Sequence, residues 1–133
     1  MNILLIDDDD ISSFIVNVSL QKRGVPLEKI HIALGGQKAL NILTDWYATS
    51  KMVPDVILID LNMPEMNGFE FIEAFNKLDL ARTNRTRLII VTSSDDDVDK
   101  KRAKDLGIMH FITKPVSPAD ICEILMQEIS AGT

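Results

Sequence analysis

An α/β domain with a parallel sheet and helices on both faces is the fold class this sequence predicts, and three observations predict it. Short apolar runs alternate five times with longer amphipathic ones. Four of those runs are of strand length and largely β-branched, as strands covered on both faces require. No linker, repeat or low-complexity tract interrupts the alternation, so the order reads as one sheet joined by right-handed crossovers.

The strand runs are Ile3 to Ile6, a weaker alternating run from Lys29 to Leu34, Asp55 to Ile59, Leu88 to Val91 and Met109 to Ile112. The first helix is expected over Ile11 to Arg23, with Ile11, Phe14, Ile15 and Val18 as its apolar stripe and Gly24 as its stop. Gln37 to Thr49 carries Ala39, Leu40, Leu43, Trp46 and Tyr47 at helical spacing, and Phe69 to Leu78 carries Phe69, Ile72 and Phe75 after the breaker Gly68. Asp96 to Leu106 carries Val98, Ala103 and Leu106 before Gly107. The last helix, Pro118 to Ile129, has Ser117 as N-cap, Pro118 at its first position and Asp120 in the capping-box position, and it bears a wide apolar band from Ile121 to Ile129. Together these elements predict a flavodoxin-like (βα)5 three-layer sandwich with sheet order 2-1-3-4-5.

The 133 residues suffice for one ordinary domain, so residues 1–133 are read as that domain with no output domain attached. A net charge of -6 leaves no basic surplus for nonspecific nucleic-acid binding. The single cysteine, Cys122, excludes an intramolecular disulfide framework and a cysteine-rich zinc site. No apolar stretch approaches the ~18 residues that span a bilayer, and four aspartates follow Ile6 where a signal peptide would continue its apolar run. A cytoplasmic protein without membrane insertion is expected.

In an open parallel sheet, ligands bind beyond the carboxyl ends of the strands, at the point where the strand order reverses. Strand 1 ends in Asp7-Asp8, strand 3 in Asp60 and strand 4 in Thr92, and strand 5 is followed by Thr113-Lys114-Pro115. All of these would converge on one edge. Carboxylates gathered there repel one another unless a cation intervenes. A hard divalent ion suits them, since Mg²⁺ takes one or two carboxylates, water and phosphate oxygens. Lys114 would add an ammonium and Thr92 a hydroxyl. A carboxylate nucleophile, a metal, an ammonium and a hydroxyl around one small volume suit phosphoryl transfer to an aspartate.

Four segments carry a specific resemblance: Ile3-Leu4-Leu5-Ile6-Asp7-Asp8-Asp9, Asp60-Leu61-Asn62-Met63-Pro64-Glu65-Met66-Asn67-Gly68, Val91-Thr92-Ser93 and Thr113-Lys114-Pro115. In their order and spacing the chain resembles the receiver family of response regulators, in the architecture of its single-domain chemotaxis members. The resemblance implies a stand-alone switch of two-component signalling, assisting only its own phosphorylation and dephosphorylation and otherwise not an enzyme. A histidine kinase or histidine phosphotransfer protein would phosphorylate Asp60 with Mg²⁺ (or Mn²⁺). It further implies that Asp8, Asp60 and the backbone carbonyl of Asn62 ligate the metal, with Asp7 acting through water. Thr92 and Lys114 would bind the phosphoryl group, Thr92 and Phe111 would switch, and Asn62 and Ser94 would modulate dephosphorylation. Lys114-Pro115 matches a peptide bond that is commonly cis in the family. The face made by helix 4, strand 5 and helix 5 would meet a downstream protein, or a second copy of the chain on phosphorylation.

Each feature also has a plainer reading. Aspartates 7 to 10 can cap the first helix, and Asp9 or Asp10 is expected to do so. Asp95-Asp96-Asp97 reads as another cap, Phe111 as a core aromatic, and Asp60 alone as a turn aspartate. The company of Asp7, Asp8, Thr92 and Lys114 favours the functional reading. A dehalogenase-type phosphohydrolase would want a second aspartate where Asn62 stands. A pseudo-receiver that binds without phosphorylation would have lost one of these groups. An intermediate receiver of a phosphorelay would share them all.

Overall fold

Strands buried on both faces have to be apolar along their whole length. β1 (Ile3–Ile6) and β3 (Val56–Ile59) are, with every side chain buried. The two pair in parallel, Ile6 opposite Ile59, at the centre of a five-stranded sheet. The structure is a computed structural model and describes residues 2–49, 52–78, 86–93, 96–108, 110–114, 119 and 123. β2 (Ile30–Ala33) flanks β1, and β4 (Arg87–Thr92) and β5 (His110–Thr113) continue beyond β3. The order is therefore β2-β1-β3-β4-β5, all parallel, as predicted. The connections carry α1 (Asp10–Lys22), α2 (Gly36–Ala48), α3 (Gly68–Asn76) and α4 (Asp97–Asp105). The expected helix from Pro118 to Ile129 lies almost wholly outside the described residues. Among those described, no helix is long and apolar enough to cross a membrane.

The sheet divides the core in two. Its period-two alternation sends Leu4, Ile6, Ile57, Ile59 and Ile90 to one face, where Leu43 and Trp46 of α2 and Ile72 and Phe75 of α3 meet them. Ile3, Leu5, Leu58, Ile89 and Val91 point the other way, onto Val16 and Leu20 of α1. β2 was the weakest pattern in the sequence because an edge strand is covered incompletely: His31 and Ile32 remain partly open between buried Ile30 and Ala33.

α1 turns a different face inward from the one its periodicity predicts. Ile11, Phe14 and Ile15 are 71%, 66% and 51% exposed, and Val18 is only half-buried. The inward face is Ser13, Val16, Ser19 and Leu20. The cause is the way the chain enters the helix. Asp9 N–H donates to Asp7 Oδ1 at 3.0 Å, and Asp9, as N-cap, accepts from Ile11 N–H at 3.0 Å. That tight turn fixes the helix rotation and brings two small serines against the sheet. Ser19 satisfies its hydroxyl by donating to the Ile15 carbonyl at 2.9 Å.

Val98 is likewise 72% exposed rather than packed. Its backbone N–H serves the cap Asp96 at 2.8 Å, and α4 rests instead on buried Ala103 and on Arg102. The Arg102 guanidinium lies 4.4 Å over the Phe69 ring and 3.6 Å from Glu73.

The start of α3 is held against the end of β3. Asn67 and Glu70 form a capping box, with bonds of 2.9 and 3.0 Å, and Gly68 N–H donates to the Leu61 carbonyl at 3.0 Å. A Cβ on Gly68 would stand 2.7 Å from the Asp60 carbonyl oxygen and 2.9 Å from Leu61 Cα, both backbone atoms that cannot swing aside. Gly68→Ala is expected to lower stability by about 1–3 kcal/mol in chemical denaturation. A loss below about 0.5 kcal/mol would show that the turn yields freely.

Candidate functional site

Because β1 and β3 end in step, the residues that follow them emerge side by side. Asp60 N–H donates to the Ile6 carbonyl at 3.0 Å and Asp7 N–H to the Ala33 carbonyl at 3.2 Å, so both aspartates extend the ladder by one rung. Both are buried, while Asp8 beside them is exposed. One carboxylate oxygen from each of Asp7, Asp8 and Asp60 lies within 4.8 Å of the other two.

β4 and β5 also end in step, Thr92 opposite Thr113, and Lys114 N–H donates to the Thr92 carbonyl at 2.7 Å. From that anchor the Lys114 ammonium reaches Asp7 Oδ2 at 3.0 Å and Asp60 Oδ2 at 3.4 Å. Asn62 ties the two halves of the site together. Its backbone N–H donates to Asp60 Oδ1 at 3.2 Å, and its side-chain amide donates to Thr92 Oγ1 at 3.1 Å. The Thr92 hydroxyl thus accepts from Asn62.

The structure therefore gathers Asp7, Asp8, Asp60, Asn62, Thr92 and Lys114 at one sheet edge. Phe111, on β5, is half-buried against the core on the α2–α3 side. Ser94 and Pro115 lie outside the described residues. Asp9 and Asp96 prove to be helix caps. Sequence reasoning missed two residues at the site. Gly68 read only as a breaker, although Asn67 followed by Glu70 is a capping-box signal that places it inside a helix. Ser13 carried no signal at all.

Burial raises the Asp60 carboxyl above the ordinary carboxylate range. The Asn62 N–H and the Lys114 charge work to lower it, and the charge on Asp7 adds to the rise. Burial also opposes the charged form of Lys114. Its hydrogen bond to Asp7 and the charges of Asp60 and Asp7 outweigh that, so the ammonium is held above its usual range.

The response regulator receiver domain model matches residues 3–126. Protein PilH of Pseudomonas aeruginosa is 31% identical over 134 residues, covering 97% of this chain and 94% of that protein. The sensor histidine kinase CheAY of Helicobacter pylori is 29% identical over 96% of this chain, which spans 15% of that kinase. The chain spans 7% of a further relative, hybrid signal transduction histidine kinase I of Dictyostelium discoideum. Among solved structures, a two component response regulator from Cytophaga hutchinsonii superimposes with a TM-score of 0.83 at 29% identity, covering 97% of this chain and 96% of that one. The chemotaxis protein CheY4 of Vibrio cholerae does so with a TM-score of 0.76 at 27% identity, covering 95% and 96%.

A raised Asp60 means that the folded state holds this proton more tightly than the unfolded chain does. Its contribution to stability therefore falls as pH rises from the unfolded carboxylate value through the folded one. In metal-free buffer, Asp60→Asn is expected to be more stable than wild type at neutral pH, with the gap closing as the pH drops into the carboxylate range. Chemical denaturation at both pH values checks this. A less stable variant at neutral pH would mean that the Lys114 contact outweighs burial.

Proposed function

The chain belongs to the response regulator receiver family, and from that premise we propose that it is a phosphorylation switch of two-component signalling whose acceptor is Asp60. The observation that carries this reading is the reach of one ammonium, Lys114, to both buried carboxylates, beside a Thr92 hydroxyl held by Asn62. The Asp60 carboxylate attacks the phosphorus of a phosphohistidine. An acyl phosphate bond forms, the P–N bond breaks and the imidazole leaves. Lys114 and the Thr92 hydroxyl donate to the equatorial oxygens, so the chain's share is positioning and electrostatics. Water later cleaves the acyl phosphate, returning the carboxylate and inorganic phosphate. Asn62, bonded to both Asp60 and Thr92, is proposed to orient that water, and Ser94 is the second position proposed to set its rate.

Three carboxylate oxygens within 4.8 Å form a hard donor set that fits Mg²⁺ or Mn²⁺. Asp8, Asp60 and the Asn62 carbonyl would hold the ion, with Asp7 acting through water. The ion supplies charge neutralisation for the incoming phosphate.

The donor is proposed to be a histidine kinase or histidine phosphotransfer protein. The two histidine kinases named above support that reading. A cytoplasmic location is proposed, and the likeness to PilH over 97% of this chain and 94% of that protein supports a regulator of receiver type. An intermediate role in a phosphorelay uses the same residues and differs only in the next histidine. A pseudo-receiver is disfavoured because acceptor, acidic pair and lysine are all present. Signal output is proposed through Thr92, Phe111 and the surface of α4 and β5. α4 buries Ala103 and stacks Arg102 over Phe69 while leaving Val98 exposed, and it is the element proposed to shift.

The outward apolar face of α1 starts beside Asp8 and exposes Ile11, Phe14 and Ile15, which suits docking of the donor. Phe14→Ser is expected to change stability by less than about 0.5 kcal/mol and to leave labelling by acetyl phosphate unchanged. Transfer from the phosphorylated donor should nevertheless slow about tenfold, as for loss of a buried aromatic anchor. Unchanged transfer would remove α1 from the docking surface. The reading as a whole is tested by intact mass after incubation with acetyl phosphate and Mg²⁺. One added phosphoryl group is expected in wild type and none in Asp60→Asn or with EDTA. An adduct that survives Asp60→Asn would overturn the assignment.

A further inference from the structure

Beneath the two buried carboxylates, on the α1 side of the sheet, lies a cavity of about 20 Å³. Its lining is mostly apolar, from residues such as Leu5, Val16, Leu58 and Val91, and it is completed by Asp7, Ser13 and Asp60. A space of that size admits one water molecule and nothing larger. Ser13 is 4% exposed, and its Oγ has no hydrogen-bond partner among the described residues. A buried hydroxyl in that position is unfavourable unless something meets it. Ser19, two turns along the same inward face, meets its own need through the Ile15 carbonyl, and Ser13 does not do the equivalent.

We propose that this cavity is a binding site for a single internal water, held by Ser13 Oγ on one side and by the Asp7 and Asp60 carboxylates on the other. The known contacts leave room for it. Asp7 accepts one bond at each oxygen, from Asp9 N–H and from Lys114, and Asp60 likewise from Asn62 N–H and Lys114. Each carboxylate oxygen can accept a second bond. The water satisfies the hydroxyl and gives its protons to the two carboxylates. Ser13 is then a positioning residue: it braces the acidic pair from below and keeps both carboxylates aimed at the cation.

The test uses the full chain in two arms. The first is a high-resolution crystal structure, expected to show water density in the cavity within hydrogen-bond distance of Ser13 Oγ and of a carboxylate oxygen. A dry cavity overturns the proposal. The second is Mg²⁺ titration by calorimetry of wild type, Ser13→Ala and Ser13→Val, and it rests on the proposed metal-dependent function. Affinity should fall roughly tenfold in both variants. A merely structural serine would give a different pattern, since valine refills the space that alanine empties, and recovery in Ser13→Val would overturn the positioning role. If wild type fails to bind Mg²⁺ at all, that counts against the metal-dependent acceptor, and the density arm alone then decides the water site.

Discussion

Two buried carboxylates can stand side by side at the rim of an apolar sheet only if a positive charge meets them, and Lys114 is that charge. Most of the architecture serves the meeting. β1 and β3 must be central and in register for Asp7 and Asp60 to emerge together. β4 must separate β3 from β5 by one strand width, so that a lysine side chain starting beside Thr92 spans the gap. The strands themselves contribute no chemistry. β1 and β3 are apolar throughout and act as a rigid frame, with Asp7 and Asp60 each on the first residue beyond the strand end and Thr92 closing β4.

Rigidity is distributed unevenly around that frame. The turn after Asp60 is fixed on one side by the Asn62 contacts and on the other by the direct approach of Gly68 to the Asp60 carbonyl. α3 carries that stiffness into the core through Phe71, Ile72 and Phe75. α4 is the opposite case: charged along its length and anchored by Ala103 and the Arg102 stack. The modification proposed for Asp60 would meet a firmly held turn on one side and would act on α4 at the other.

The sheet order and the site were legible because parallel strands leave two plain traces, continuous apolar runs and a polar residue at each carboxyl end. Ile3 to Asp7 and Val56 to Asp60 show both. The face of α1 was not legible. Ile11, Phe14, Ile15 and Val18 form a regular stripe, yet helix rotation was decided by the Asp7–Asp9 turn, a hydrogen-bond geometry that hydropathy does not record. Serines on an inward face look polar in sequence, and only the closeness of helix to sheet reveals them as buried. Val98 misled for a related reason, since its position in the first turn is governed by the cap at Asp96.

The bond between Lys114 and Asp7 joins residues 107 apart in the chain. On a ribosome, the acidic cluster is synthesised well before its counter-ion. Until β5 emerges, the growing polypeptide carries unneutralised carboxylates at the rim of any sheet it assembles, which disfavours early compaction at that edge. The pocket is thus complete only once β5 and Lys114 are in place, and a nascent fragment lacking them holds the acidic cluster without its counter-ion.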